Sequence, residues 1–242
     1  MNLRLPLARR FAMAGLLCQT FLGVCPLSAH AQEQDESPSG NGRLLTTESA
    51  TVIAHPVLGL QRSAVPLVAG LALDTSLYAD LLLAPNLGLR WAVAAGPHRL
   101  VLGARYTHFV GASVYSSVVE SNEPAIQSFE PSLSGPTFYG TYGLVLGPLT
   151  VQGEARFAHY ESDYLAVTGA AALHLTSTWS VIGEAGVRLK GGSELRAAAG
   201  VRYGGEHLGL ALGAAYVDIE DPAFPGDKLP IVPAFDVSWT FR

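Results

Sequence analysis

Every second residue from Ile231 to Phe241 is bulky and apolar: Ile231, Pro233, Phe235, Val237, Trp239 and Phe241. Between them lie Val232, Ala234, Asp236, Ser238 and Thr240. Side chains of a strand point to opposite faces in turn, so this spacing predicts a strand with one apolar and one wetter face. The same period of two recurs upstream. Leu149, Val151, Ala155 and Phe157 alternate with Thr150, Gln152, Glu154 and Arg156. Trp179, Val181, Ala185, Val187 and Leu189 alternate with Ser180, Glu184, Arg188 and Lys190. Leu195, Val201 and Tyr203 alternate with Glu194, Arg196 and Arg202, and 206–218 repeats the pattern through Leu208, Leu210, Leu212 and Tyr216. Helical spacing would scatter those charges through the apolar stripe, so the chain is read as all-β.

Turn signals separate these runs at Gly147-Pro148, Thr176-Ser177, Gly191-Gly192 and Gly204-Gly205. Farther back, 137–147, 99–110 and 87–95 read as strands. The stretches 77–83, 65–74 and 51–60 complete the set, although Pro56, Pro66 and Pro85 interrupt this region. The expected architecture is a closed antiparallel transmembrane barrel of about 12 strands. Ten strands also fit, and eight fits less well. With the C-terminus on the inner side, the connections 111–136, 161–163, 191–193 and 219–230 fall outside. The turns at 96–98, 147–148, 176–177 and 205 fall inside, so long and short connections segregate as such barrels require.

Two other features bound the compartment. Arg4, Arg9 and Arg10 precede an uncharged run from Phe11 to Leu27 and then Ala29-His30-Ala31. This is the pattern of a cleaved secretory leader, expected over residues 1–31. Both cysteines, Cys18 and Cys25, lie in that leader, so the mature chain has neither a disulfide framework nor thiol chemistry. Residues 32–48 begin with a polar, acidic run and are expected to form a disordered periplasmic segment, leaving 49–242 as the barrel. A net charge of −5 argues against nucleic acid as a partner.

An aromatic-rich strand at the end of a Gly-rich, exported chain resembles the closing strand of bacterial outer-membrane β-barrels, with the final aromatic here penultimate. The resemblance implies residence in the outer membrane of a Gram-negative bacterium, with outer-membrane lipid as solvent. It also implies recognition by the barrel-assembly machinery through Phe235, Val237, Trp239 and Phe241.

The wetter faces would direct Arg90, Arg105, Glu154, Arg156, Glu184, Arg188, Glu194, Arg196, Arg202 and Asp236 into the lumen. Charges of mixed sign on neighbouring strands can pair there and fill a narrow bore. The function expected is non-enzymatic: a narrow passive channel for small solutes, or a structural, surface-interaction barrel with a charge-paired lumen. One alternative is a lipid-modifying outer-membrane enzyme, for which His159-Tyr160-Glu161-Ser162-Asp163 supplies a nucleophile, a base and acids at one turn. Another is a soluble exported barrel that binds a small apolar ligand. The histidines His55, His98, His108, His159, His174 and His207 form no metal-ligand spacing, and no phosphate-cradling or dinucleotide motif occurs, so no cofactor or metal is expected. Acidic residues in the long connections (Glu120, Glu123, Glu130, Glu220, Asp221 and Asp227) lack a calcium-loop pattern.

Overall fold

A computed structural model of the protein describes residues 43–111, 134–160, 163–190, 194–217 and 231–242. Twelve antiparallel strands close into a barrel, each pairing with its sequence neighbours, and the first pairs with the last. They are β1 (Val57–Gly59), β2 (Ser63–Val68), β3 (Leu71–Thr75), β4 (Asn86–Ala95), β5 (His98–Thr107), β6 (Gly135–Leu146), β7 (Leu149–His159), β8 (Asp163–His174), β9 (Trp179–Arg188), β10 (Glu194–Gly204), β11 (Leu208–Val217) and β12 (Ile231–Thr240). Closure is made by Val57 opposite Thr240, Leu58 opposite Trp239 and Gly59 opposite Ser238. Every ladder then has a partner on both sides, which removes the open edge that a bilayer does not tolerate.

Alternation decides which face looks where. On β12, Phe235, Val237 and Trp239 are 45%, 48% and 46% exposed, while Asp236, Ser238 and Thr240 are buried at 6%, 4% and 5%. On β4, Leu87 and Leu89 lie outward, whereas Arg90 and Ala92 are buried. The outside is therefore apolar and the inside polar or small, the reverse of a soluble barrel built around an apolar core. Each such side chain left in water would forfeit about 1.5–3 kcal/mol of burial. The observed inversion counts directly against the soluble alternative. Outward aromatics gather at two levels, with Trp179, Trp239 and Phe241 toward one rim and Tyr106, Phe138 and Tyr216 toward the other. Spanning barrels carry such girdles.

The tight connections share a rim. Ala95 pairs with His98 and Leu146 with Leu149, leaving the two-residue turns Gly96-Pro97 and Gly147-Pro148. Both glycines have positive φ, 59° and 61°, at the first central position of a hairpin whose twist demands it. Pro56 and Arg242 lie at this rim too, for Phe241 N–H donates to the Pro56 carbonyl at 2.9 Å.

One sector departs from the expected strands. β4 to β12 have 10 to 12 residues each, long enough to cross a bilayer at a tilt, but β1, β2 and β3 have only three, six and five. The expected strand at 65–74 is a hairpin, folded at Gly70 with φ 79°. The expected strand at 77–83 is instead the short helix α1 (Leu77–Leu81), because the Ser76 hydroxyl caps it by accepting the Ala79 N–H at 3.3 Å. The gained strand offsets the lost one, so the total of 12 stands. Of 51–60, only Val57–Gly59 joins the wall. The leader and residues 32–42 lie outside the described residues, as do 112–133 and 218–230 of the two long connections.

Gly147→Val should lower the unfolding free energy by about 1–3 kcal/mol, because a β-branched residue at that φ is strained. Gly153→Ala, outward with no atom within 4 Å of the added methyl, should leave it within about 0.5 kcal/mol. Denaturant unfolding of both variants in the same detergent checks the contrast; equal midpoints would contradict the turn assignment.

Candidate functional site

The bore is occupied by the protein's own segment 43–56, which precedes β1. Its residues Leu44, Leu45, Thr47, Glu48, Ser49, Ala50 and Ile53 are all buried. A tight turn shapes the tip: Arg43 bridges Glu48, and Leu44 N–H donates to the Thr47 carbonyl at 3.0 Å. A segment without regular structure carries backbone groups that must be paired once buried. Here the wall supplies the partners.

Glu184, inward on β9, accepts the Leu45 N–H at 2.8 Å and the Thr46 N–H at 3.0 Å, together with the hydroxyls of Thr46 and Thr47. Glu154 on β7 accepts the Glu48 N–H at 2.6 Å. Gln152 accepts the Ala50 N–H at 3.0 Å and donates to the Glu48 carbonyl at 2.5 Å. From the opposite wall, Arg90 on β4 donates to the carbonyls of Ser49 and Thr51 at 2.6 and 2.5 Å. Arg202 on β10 donates to the Arg43 carbonyl at 3.1 Å. Wall charges thus act largely as backbone partners for the plug.

A chain of ion pairs crosses beneath the tip. The Glu48 carboxylate pairs with Arg62, in the β1–β2 connection, and Arg62 Nε lies 3.0 Å from Asp74 on β3. Asp74 also meets Arg105 on β5 at 3.0 Å. On its other oxygen Glu48 faces Arg156 at 3.6 Å, and Arg156 pairs with Glu154 at 2.9 Å. Arg62 is completely buried, and the two carboxylates that flank it offset the cost of burying its charge.

Apolar contacts are local. Leu44 and Leu45 pack on a wall of small residues that includes Ala170, Ala172, Ala198, Ala211 and Ala215. Ile53 packs with Val57, Ala64 and Ala72 near the point where the plug joins the wall. Val52 packs against Ala92, Val101 and Tyr139. The Tyr139 ring fits because Gly103 stands opposite it, where a Cβ would collide with the ring.

Among the residues singled out from sequence, Arg90, Glu154, Glu184 and Arg202 bond to the plug, and Arg156 lies between plug and wall. Arg105 meets Asp74, and Asp236 accepts the Gln61 N–H at 2.9 Å. Arg188 and Arg196 flank the Tyr164 ring, their guanidinium carbons 5.0 and 5.1 Å from its centroid. Glu194 lies in β10 opposite Arg188. Sequence reasoning missed Glu48, Arg62, Asp74 and Tyr139. The expected disordered segment 32–48 is ordered inside the barrel from Arg43 onward, since Glu184 and Glu154 hold its backbone. At the outer turn His159 Nδ1 lies 2.6 Å from Asp163, which also pairs with Lys190, while Glu161 and Ser162 lie outside the described residues. No group of three or more metal-ligating side chains occurs among the described residues.

Above the tip, toward the rim with the long connections, lies a cavity of about 200 Å³. Thr46 and Thr47 of the plug line its floor, with Arg156, Tyr164, Arg196 and Tyr216 among its wall residues.

Two solved structures share this architecture. A structure described as the KdgM porin superposes with a TM-score of 0.51 at 8% identity, covering 78% of this chain and 97% of that one. The NanC porin gives 0.50 at 7% identity, covering 78% and 98%. The fold is the closed antiparallel barrel that these two porins also adopt. OmpT of Vibrio cholerae, an outer-membrane protein, matches at a TM-score of 0.41 and 11% identity over 74% of this chain and 63% of its own. No family model matches the sequence, and no curated protein matches it.

Replacing Glu184 with Ala strips the plug tip of a charged acceptor, each such bond contributing about 1.5–3 kcal/mol. Hydrogen exchange at the Leu45 and Thr46 amides should accelerate at least about tenfold, 1.4 kcal/mol corresponding to one decade. Unchanged rates would mean that the tip is held by something other than this carboxylate.

Proposed function

We propose that the protein is a passive, non-enzymatic channel for small solutes in the outer membrane of a Gram-negative bacterium, held closed at rest by segment 43–56. Export would use the leader ending at Ala31. The observation that carries this reading is the plug itself, a stretch of irregular chain filling a porin-type bore and held chiefly by carboxylates and guanidiniums. Water and ions can replace such contacts one by one, whereas a core of interlocked large apolar side chains would have no comparable substitute. The inward wall beside the tip is mostly alanine, so a withdrawn plug leaves width rather than a collapsed interior.

A second reading, a permanently filled structural barrel, is favoured by one observation. Arg62 is wholly buried between two carboxylates, and breaking such a pair costs about 3–5 kcal/mol. Planar-bilayer recordings separate the two. The wild type should be closed for most of a trace, and the double variant Glu48→Gln, Glu184→Gln should open frequently in steps of uniform size. A correctly folded variant as silent as the wild type would support the filled barrel instead.

Assembly is proposed to depend on Phe235, Val237, Trp239 and Phe241, read by the barrel-assembly machinery. Loss of residues 239–242 would also delete the Leu58–Trp239 and Val57–Thr240 pairs that close the wall. This truncation should leave no heat-modifiable band in the membrane fraction; normal migration would refute the assignment.

A further inference from the structure

The cavity above the plug borders the ion-pair chain through Arg156 and Glu154, and its remaining polar lining is held differently. Its carboxylates are already engaged: Glu184 accepts the plug's N–H groups, and Glu154 is shared by Arg156 and the Glu48 N–H. Its two cations differ: Arg156 pairs with Glu154 at 2.9 Å and faces Glu48 at 3.6 Å, whereas Arg196 is less occupied. Arg196 makes no ion pair or hydrogen bond among the described residues, and its Nε is shielded from solvent without a partner. What holds Arg196 is the Tyr164 ring, which it shares with Arg188. A ring face attracts a guanidinium while leaving its N–H edge available, and that edge matches a carboxylate or phosphate in the bidentate manner.

We propose that this cavity is a binding site for a small anion bearing a carboxylate or phosphate group, held between Arg196 and Arg156 above Thr46 and Thr47. The anion meets the outer N–H edge of the Arg196 guanidinium and sits on the plug tip. Arg156, which faces both Glu48 of the plug and Glu154 of the wall, places the bound anion next to the ion-pair chain that fastens the plug. The inference deepens the channel reading by naming what reaches the closed side of the plug, and it does not need the plug to move.

The test is therefore made on the full, closed protein in detergent, by titration calorimetry at low salt with inorganic phosphate and with succinate as separate probes, and with erythritol as a neutral control. Saturable binding of either anion and none of erythritol is expected, and the stronger of the two identifies the preferred group. Arg196→Gln should weaken it by about tenfold or more, the scale of one lost charged partner. Arg99→Gln should not change it, since Arg99 sits at the opposite rim on the carbonyls of Gly96 and His98. No saturable binding by the wild type, or equal weakening by both variants, overturns the proposal. If Arg196→Gln fails to fold, Tyr164→Leu removes the ring that positions Arg196 and should weaken binding likewise, and unaltered affinity there also overturns it. A silent bilayer trace from the double variant and a flat isotherm from the wild type are separate failures, the first of the channel and the second of this site.

Discussion

The guanidinium of Arg62 is the joint on which the interior depends. It has no exposure to water and lies between Glu48, on the plug, and Asp74, on β3. Removing either carboxylate from beside a cation so buried is costly. Arg62 therefore fixes three pieces of chain at once: the plug, the connection between β1 and β2, and the next wall strand, β3. This sector has the fewest ladder bonds of the barrel, with a single Cα pair in register between β1 and β2. Where backbone pairing is thin, side-chain charge supplies the cohesion.

Around the rest of the circumference the wall is regular and its inward residues are sorted by size. Large cations and carboxylates occupy the layer at Arg90, Glu154 and Glu184, while β8, β10 and β11 offer alanines beside the plug tip. Leu44 and Leu45 enter that recess, and the backbone around them is met by Glu184. Charge and volume are thus complementary along one contour. The resemblance to porin barrels concerns the shell, and the arrangement of what fills it rests on this chain's own residues.

Much of the shell was legible in the sequence. Period-two alternation over 10 to 12 residues leaves little freedom, since a one-residue slip would turn Trp239 inward and Asp236 outward. The same regularity exposed Arg90, Glu154, Glu184 and Asp236 as inward groups. The region 60–85 was misread because its signals are local and short: Gly70 breaks a run that otherwise reads as one strand, and Ser76 caps a helix in a leucine-rich stretch. The plug was illegible for another reason. Arg43 to Ile53 has no period, and its partners Glu184 and Glu154 are 138 and 106 positions away for Thr46 and Glu48. Nothing within the segment tells that those carboxylates will meet it.

The junction at Pro56 sets the topology of the plug. The segment continues into β1 at the rim of tight turns, where the chain's last residues also lie, so its tip is the far end of a loop entering from that side. In the channel reading proposed above, a stopper attached in this way would leave and return without opening a strand seam. Its local concentration at the mouth would stay high whenever it is out, because the covalent link to β1 keeps it near. Reclosure would then be an intramolecular event, independent of how many copies of the protein the membrane holds.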